Sequence, residues 1–234
     1  MKKIAAIAAT ALLAAALAGC SSQGSPKSEA PSPEPAAEKK AETATPADLE
    51  IIESGWVAGE QGFVHYGIGL KNPNAGFGAE FPTIKVTGKD ADGKIVFSDE
   101  QVLMFMLPGA EYYYGGQAGN GTAPATVEFS LSVSKNNWVP TDKQAVEFYT
   151  ISNTNEVKGQ YGNDNFTGEL TVNEEWESVT SACVSVILRD AEGSIVGGYC
   201  GFADLPAEGQ TTAFDVMAYD VPDHASYEVY AQPW

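Results

Sequence analysis

The sequence predicts an all-β protein built from two tandem antiparallel β-sandwich domains, preceded by an export signal and a polar linker. Three observations carry that prediction. Residues 84–96 (IKVTGKDADGKIV) match residues 184–196 (VSVILRDAEGSIV) at a shift of 100, with six of 13 positions identical. Apolar residues alternate with period two in short runs separated by Gly, Pro, Asn and Asp. No amphipathic helical pattern occurs outside the N-terminus.

In chain order, residues 1–19 carry Lys2 and Lys3, then an apolar run from Ile4 to Ala18 broken only by Thr10. Basic residues before an apolar stretch shorter than the ~20 residues needed to span a bilayer describe a secretory signal. Its end, Leu17-Ala18-Gly19-Cys20, resembles the lipobox of bacterial lipoproteins, which implies that Cys20 becomes the lipid-bearing first residue. Several acyl chains on one residue make membrane attachment stable. The expected location is therefore extracytoplasmic, lipid-anchored to the bacterial cell membrane, with the membrane itself a partner through Cys20.

Residues 20–48 hold five prolines and no aromatic residue, Leu, Ile, Val or Met. Such a segment cannot bury enough apolar surface to offset ordering entropy and reads as a disordered linker, with a coil reach of about 30 Å.

Two domains are expected after it, 49–136 and 145–234. Strands are expected at 49–57, 63–71, 94–106, 111–117 and 126–134, and again at 146–152, 165–172, 194–203, 210–217 and 226–232. A further strand runs over 183–189, where Val184, Val186 and Leu188 alternate with Cys183, Ser185 and Ile187. Asp90-Ala-Asp-Gly93 and Asp190-Ala-Glu-Gly193 read as hairpin turns, Asp capping its own backbone and Gly accepting positive φ.

The run from Ile84 to Tyr114, with Asp-Ala-Asp-Gly, Lys-Ile-Val and then Leu-Pro-Gly, resembles the FxLYD-type modules of bacterial surface lipoproteins. Tyr66-Gly-Ile-Gly-Leu-Lys-Asn72 and Phe166-Thr-Gly-Glu-Leu-Thr-Val-Asn173 resemble the same family's earlier strand ending in Asn. The Leu-Tyr-Asp signature itself is replaced by Gly88-Lys89-Asp90 and Leu188-Arg189-Asp190. The resemblance implies an immunoglobulin-like fold and transfers no catalytic residue.

Composition narrows function. The chain has 13 basic and 31 acidic residues, a net charge of -18, and a single arginine, Arg189, which opposes nucleic-acid binding. Without residues 1–19 the balance is 11 basic against 31 acidic, a charge of -20. With 2 His and 3 Cys no multi-ligand zinc or iron–sulfur site is expected, and no cofactor is implied. Asp90, Asp92 and Gly93 partly match an EF-hand loop, but Gly88 stands at the first ligand position, strands flank it, and Leu188 occupies the equivalent place in the second copy. Neither His65 nor His224 lies near a G-x-S-x-G motif.

Two site expectations remain. Tyr112 and Tyr114, on one face of a strand, are candidate contacts for a protein or glycan ligand at the envelope. Cys183 and Cys200 are expected to form a disulfide in an exported protein. A four-residue loop over Asp190–Gly193 would set them directly opposite each other, whereas a three-residue loop with a Gly bulge would turn them to opposite faces. The leading functional expectation is a non-enzymatic binding or spacer module. The alternative is an envelope enzyme acting on glycan or a carbohydrate-binding accessory.

Overall fold

The computed structural model describes residues 45–176 and 178–234, so the expected signal peptide, Cys20 and nearly all of the expected linker lie outside the described residues. The described residues form one compact unit. It is all-β and antiparallel, and a single turn of 3-10 helix at Lys135–Asn137 is the one helical element among the described residues.

The first half contains β1 (Glu50–Ala58), β2 (Val64–Lys71), β3 (Phe77–Glu80), β4 (Thr83–Lys89), β5 (Ile95–Val102), β6 (Phe105–Met106), β7 (Glu111–Ala118), β8 (Thr126–Ser132) and β9 (Trp138–Pro140). The second contains β10 (Tyr149–Lys158), β11 (Asn163–Val172), β12 (Ser181–Arg189), β13 (Ile195–Asp204), β14 (Thr211–Tyr219) and β15 (Ser226–Pro233). Sheets β1-β2-β7 and β5-β4-β8 in the first half correspond to β10-β11-β14 and β13-β12-β15 in the second, in the same strand order. A small sheet, β6-β3-β9, belongs to the first half alone.

Equivalent strands share chemistry as well as order. In each half an Asp caps the hairpin turn: Asp90 Oδ1 accepts the N–H groups of Asp92 (3.0 Å) and Lys94 (2.9 Å), and Asp190 Oδ1 those of Glu192 (3.1 Å) and Ser194 (2.8 Å). Gly93 and Gly193 close these turns at φ 80° and 87°, a region that L side chains resist. A register shift follows at Gly88/Lys89 and again at Leu188/Arg189. The Asp90 carboxylate is thus spent on its own backbone, as a hairpin turn requires.

Each half buries a core between its two larger sheets. In the first, Val64, Tyr66, Ile68 and Leu70 of β2 face Ile84 and Val86 of β4 and Phe97 of β5. In the second, Phe166, Leu170 and Val172 of β11 face Val184, Val186 and Leu188 of β12. The period-two runs in the sequence are these inward rows.

Two expectations about elements are corrected. The strand expected over 94–106 breaks after Val102, because Phe105 and Met106 leave β4 and pair with Glu80 and Ala79 of β3. The segment expected to lie between the domains is partly strand: Trp138–Pro140 pairs with Phe77–Ala79 and extends the first half.

The halves then stack. Gly55, Gly67 and Gly115 form one row across β1, β2 and β7, bare of side chains on the outer face. β13 crosses that row: a Cβ on Gly55 would overlap the Ile195 carbonyl, one on Gly67 would meet the Ile195 side chain and Gly197 carbonyl, and one on Gly115 would strike the Tyr199 backbone. The equivalent row in the second half is Asn155, Thr167 and Asp215.

Candidate functional site

At the rim of this junction lies a cleft of about 530 Å³, within the roughly 300–1,000 Å³ range of small-molecule sites. From the first half, the β1–β2 turn and β2 supply Gln61, Phe63 and His65, and β7 supplies Gly116 and Gln117. From the second, β13 supplies Tyr199 and Cys200, and the end of β14 supplies Met217 and Tyr219, followed by Asp220. Strand alternation explains the selection: His65 and Gln117 are cross-strand partners on the outer face, opposite to the core residues Tyr66 and Ala118.

His65, only 7% exposed, stacks on Tyr199 with ring centroids 4.7 Å apart and planes inclined by 30°. Burial lowers the His65 pKa, with the Asp220 carboxylate pulling the other way. The Tyr199 hydroxyl donates to the Asp220 carbonyl (3.2 Å), and burial raises its pKa. Asp220 adopts a left-handed backbone at φ 54°, and its Oδ2 accepts the Glu60 N–H (3.2 Å). Asp tolerates that conformation better than most residues. The contact joins the β1–β2 turn of one half to the end of β14 in the other.

Cys200 lies in the cleft wall with its Sγ 3.8 Å from the Tyr114 hydroxyl. Hydrogen bonding with the Cys183 thiol lowers the Cys200 pKa to about 7, against the effect of burial and with help from Tyr114. The same thiol–thiol hydrogen bond and burial raise that of Cys183.

Cys183 and Cys200 are both free thiols, which corrects the expected disulfide. The loop is the three-residue form, with Asp190 N–H bonded to the Ser194 carbonyl (3.0 Å), and the shift at Leu188/Arg189 displaces the ladder once more. Cys183 therefore pairs with Phe202, and Cys200 with Ser185. The two displacements together restore a common face but leave the cysteines diagonal. Diagonal neighbours lie roughly 7–8 Å apart at Cα, at or beyond the limit of about 7 Å for bridging without backbone movement.

Of the two candidate ligand contacts, Tyr114 is buried and offers no ring to a surface ligand, whereas Tyr112 is half-buried at the edge of a second cleft with Phe148, Tyr149 and Val229. Tyr114 is 3% exposed and packs in the first core beside Tyr66 and Trp234. The Tyr112 hydroxyl is sealed from solvent with no partner among the described residues, and burial pushes its pKa up. β7, an edge strand of its sheet, has the first core on one face and β13 over the other, and these contacts take up Tyr114.

Tyr113 instead joins the halves. It stacks on Tyr230 (4.4 Å, 20°) and donates to Glu53 Oε1 (2.8 Å). Glu53 in turn takes a two-pronged contact from Arg189, at 2.8 and 2.9 Å, while Arg189 Nε reaches Glu228 at 2.7 Å. The Arg189 hydrogen bonds hold the Glu53 carboxyl below its usual pKa. In the first half the equivalent pair is Lys89–Glu128, without the third partner. His224 lies elsewhere, bonded to Glu156 (3.2 Å) and the Pro222 carbonyl (3.0 Å).

Sequence reasoning missed Gln61, Gln117, Tyr219 and Asp220, which come from separate strands and turns. The available signal was the contrast of Gly55, Gly67 and Gly115 with Asn155, Thr167 and Asp215 across the two copies. No family model matches the chain, and no curated protein matches it in sequence.

Proposed function

We propose that this chain is an extracytoplasmic lipoprotein, attached to the bacterial membrane through Cys20, whose two stacked β-sandwiches act as a non-enzymatic binding module. The FxLYD-type immunoglobulin-like resemblance belongs to the same reading. The observation that carries it is the cleft, walled by residues of both halves and held by the Asp220–Glu60 and Arg189–Glu53 contacts. Asp220 is the one carboxylate in the cleft wall among the described residues, whereas glycoside cleavage uses a pair, which favours binding over hydrolysis. The surface charge supports anchoring by lipid, since an acidic protein is repelled by anionic headgroups.

Growth of expressing cells on an alkyne analogue of palmitate tests the anchor. The wild-type chain should carry the label and sediment with membranes, and Cys20→Ser should lose the label and either leave the membrane fraction or stay unprocessed. Unlabelled protein cut at Cys20 that partitions to membranes regardless would end the reading.

A further inference from the structure

We propose that the cleft between the two halves binds a neutral pyranose unit of a glycan, seated on Tyr219 and hydrogen-bonded by Gln61, Gln117 and Asp220. The inference rests on the reading of the cleft as a binding site and supplies the class of ligand.

The first argument is the supply of uncommitted polar groups. The side chains of Gln61 and Gln117 are exposed and make no hydrogen bond among the described residues. Asp220 gives Oδ2 to the Glu60 N–H and keeps Oδ1 without a partner among the described residues. A carboxamide both donates and accepts, and a carboxylate accepts. That set complements hydroxyl groups, each of which does both, better than it complements a ligand of donors or acceptors alone.

The second argument is the platform. Met217 and Tyr219, two residues apart on β14, share its outer face and are 55% and 51% exposed. An open tyrosine ring at the mouth of a polar cleft offers an apolar plane to the C–H face of a sugar while its hydroxyl stays wet.

Charge decides against the competing classes. The described wall holds no Lys or Arg, and His65 is buried against Tyr199, where burial favours the neutral ring. A phosphate or carboxylate would find no counter-charge there, on a protein whose net charge of -18 repels anions. An amine would use Asp220 and leave both glutamines without a role.

Titration of the full chain with maltose and with the β-1,4-linked disaccharide of N-acetylglucosamine, followed by saturation-transfer NMR, tests the proposal. Glucose 6-phosphate and spermidine serve as the anionic and cationic comparisons. At least one neutral disaccharide should bind in the millimolar range or tighter. Tyr219→Ala should weaken it about tenfold or more, Tyr219→Phe should preserve it, and Gln117→Ala should weaken it. Circular dichroism of each variant shows whether the fold is kept, which the exposure of both positions favours. The proposal is overturned if neither disaccharide binds, if binding is indifferent to Tyr219→Ala, or if only the phosphate or the polyamine binds. Any of these results leaves the Cys20 anchor to stand or fall on membrane partition.

Discussion

Among single residues, Cys200 has the most distinctive chemistry. Its thiol pKa, lowered to about 7, leaves about half of it as thiolate at neutral pH, whereas an ordinary thiol near 8.5 is mostly protonated there. Cys183 differs in both respects: it is fully buried, and its pKa is raised. Alkylation of the native protein by iodoacetamide should therefore modify Cys200 first, at a rate that climbs with pH through a midpoint near 7. Cys183 should react only on unfolding. Removing the hydrogen-bond partner by Cys183→Ala should move the midpoint for Cys200 upward, toward 8.5. Peptide mapping by mass spectrometry reads both sites, and equal rates at the two cysteines would contradict the assignment. Thiol pairing was the least legible feature of the sequence for a physical reason: one bulge at Leu188/Arg189 decides which residue opposes which, and no residue type at those positions announces it.

At the level of strands and turns, backbone contact between sheets sets the tolerance to substitution. A Cβ at Gly115 would meet the N and O atoms of Tyr199, which belong to a paired strand and cannot swing aside. Gly115→Ala should destabilise the protein by about 1–3 kcal/mol, as overpacked core positions do. Gly76, with open space around its Cβ position, should accept Ala within about 0.5 kcal/mol. Urea denaturation of the two variants makes the comparison, and equal midpoints would refute close stacking of β13 on β7. Turns such as Asp90–Gly93 and Asp190–Gly193 were readable because their chemistry is local. Strands β3, β6 and β9, of two to four residues, were not, because they exist through partners distant in sequence. The cleft was hidden for the same reason. Gln117 and Tyr219 approach one another only after β13 crosses the glycine row, and an isolated Gln or Tyr in a strand carries no mark of what will face it.

For the molecule as a whole, the coupling of the halves runs through Arg189. It is the single arginine of the chain, and its planar fork suits the two oxygens of Glu53 while Nε serves Glu228. Arg189→Ala should cost about 2 kcal/mol, in the range of hydrogen bonds to charged groups, and should speed amide exchange in β1 and β15, which it ties together. Lys89→Ala, which breaks the solvent-exposed equivalent pair with Glu128, should change stability by no more than about 0.5 kcal/mol. Thermal denaturation with exchange mass spectrometry distinguishes the two, and equal effects would argue that Arg189 is not a clamp. The stacking of the halves also has a polarity. The face of β1-β2-β7 receives β13, so two non-equivalent surfaces meet, and the counterparts of both remain outside: β10-β11-β14 at one end and β5-β4-β8 at the other. A head-to-tail contact of this kind has no symmetry axis to close it and, if repeated from molecule to molecule, would grow into a filament. Asn155, Thr167 and Asp215 stand where a third unit would need a bare glycine row, and Ser98 stands where Gly198 brings β13 against the backbone of Tyr66, Gly67 and Gly115. A third unit stacked in the same way would therefore meet side chains where the existing junction has bare backbone.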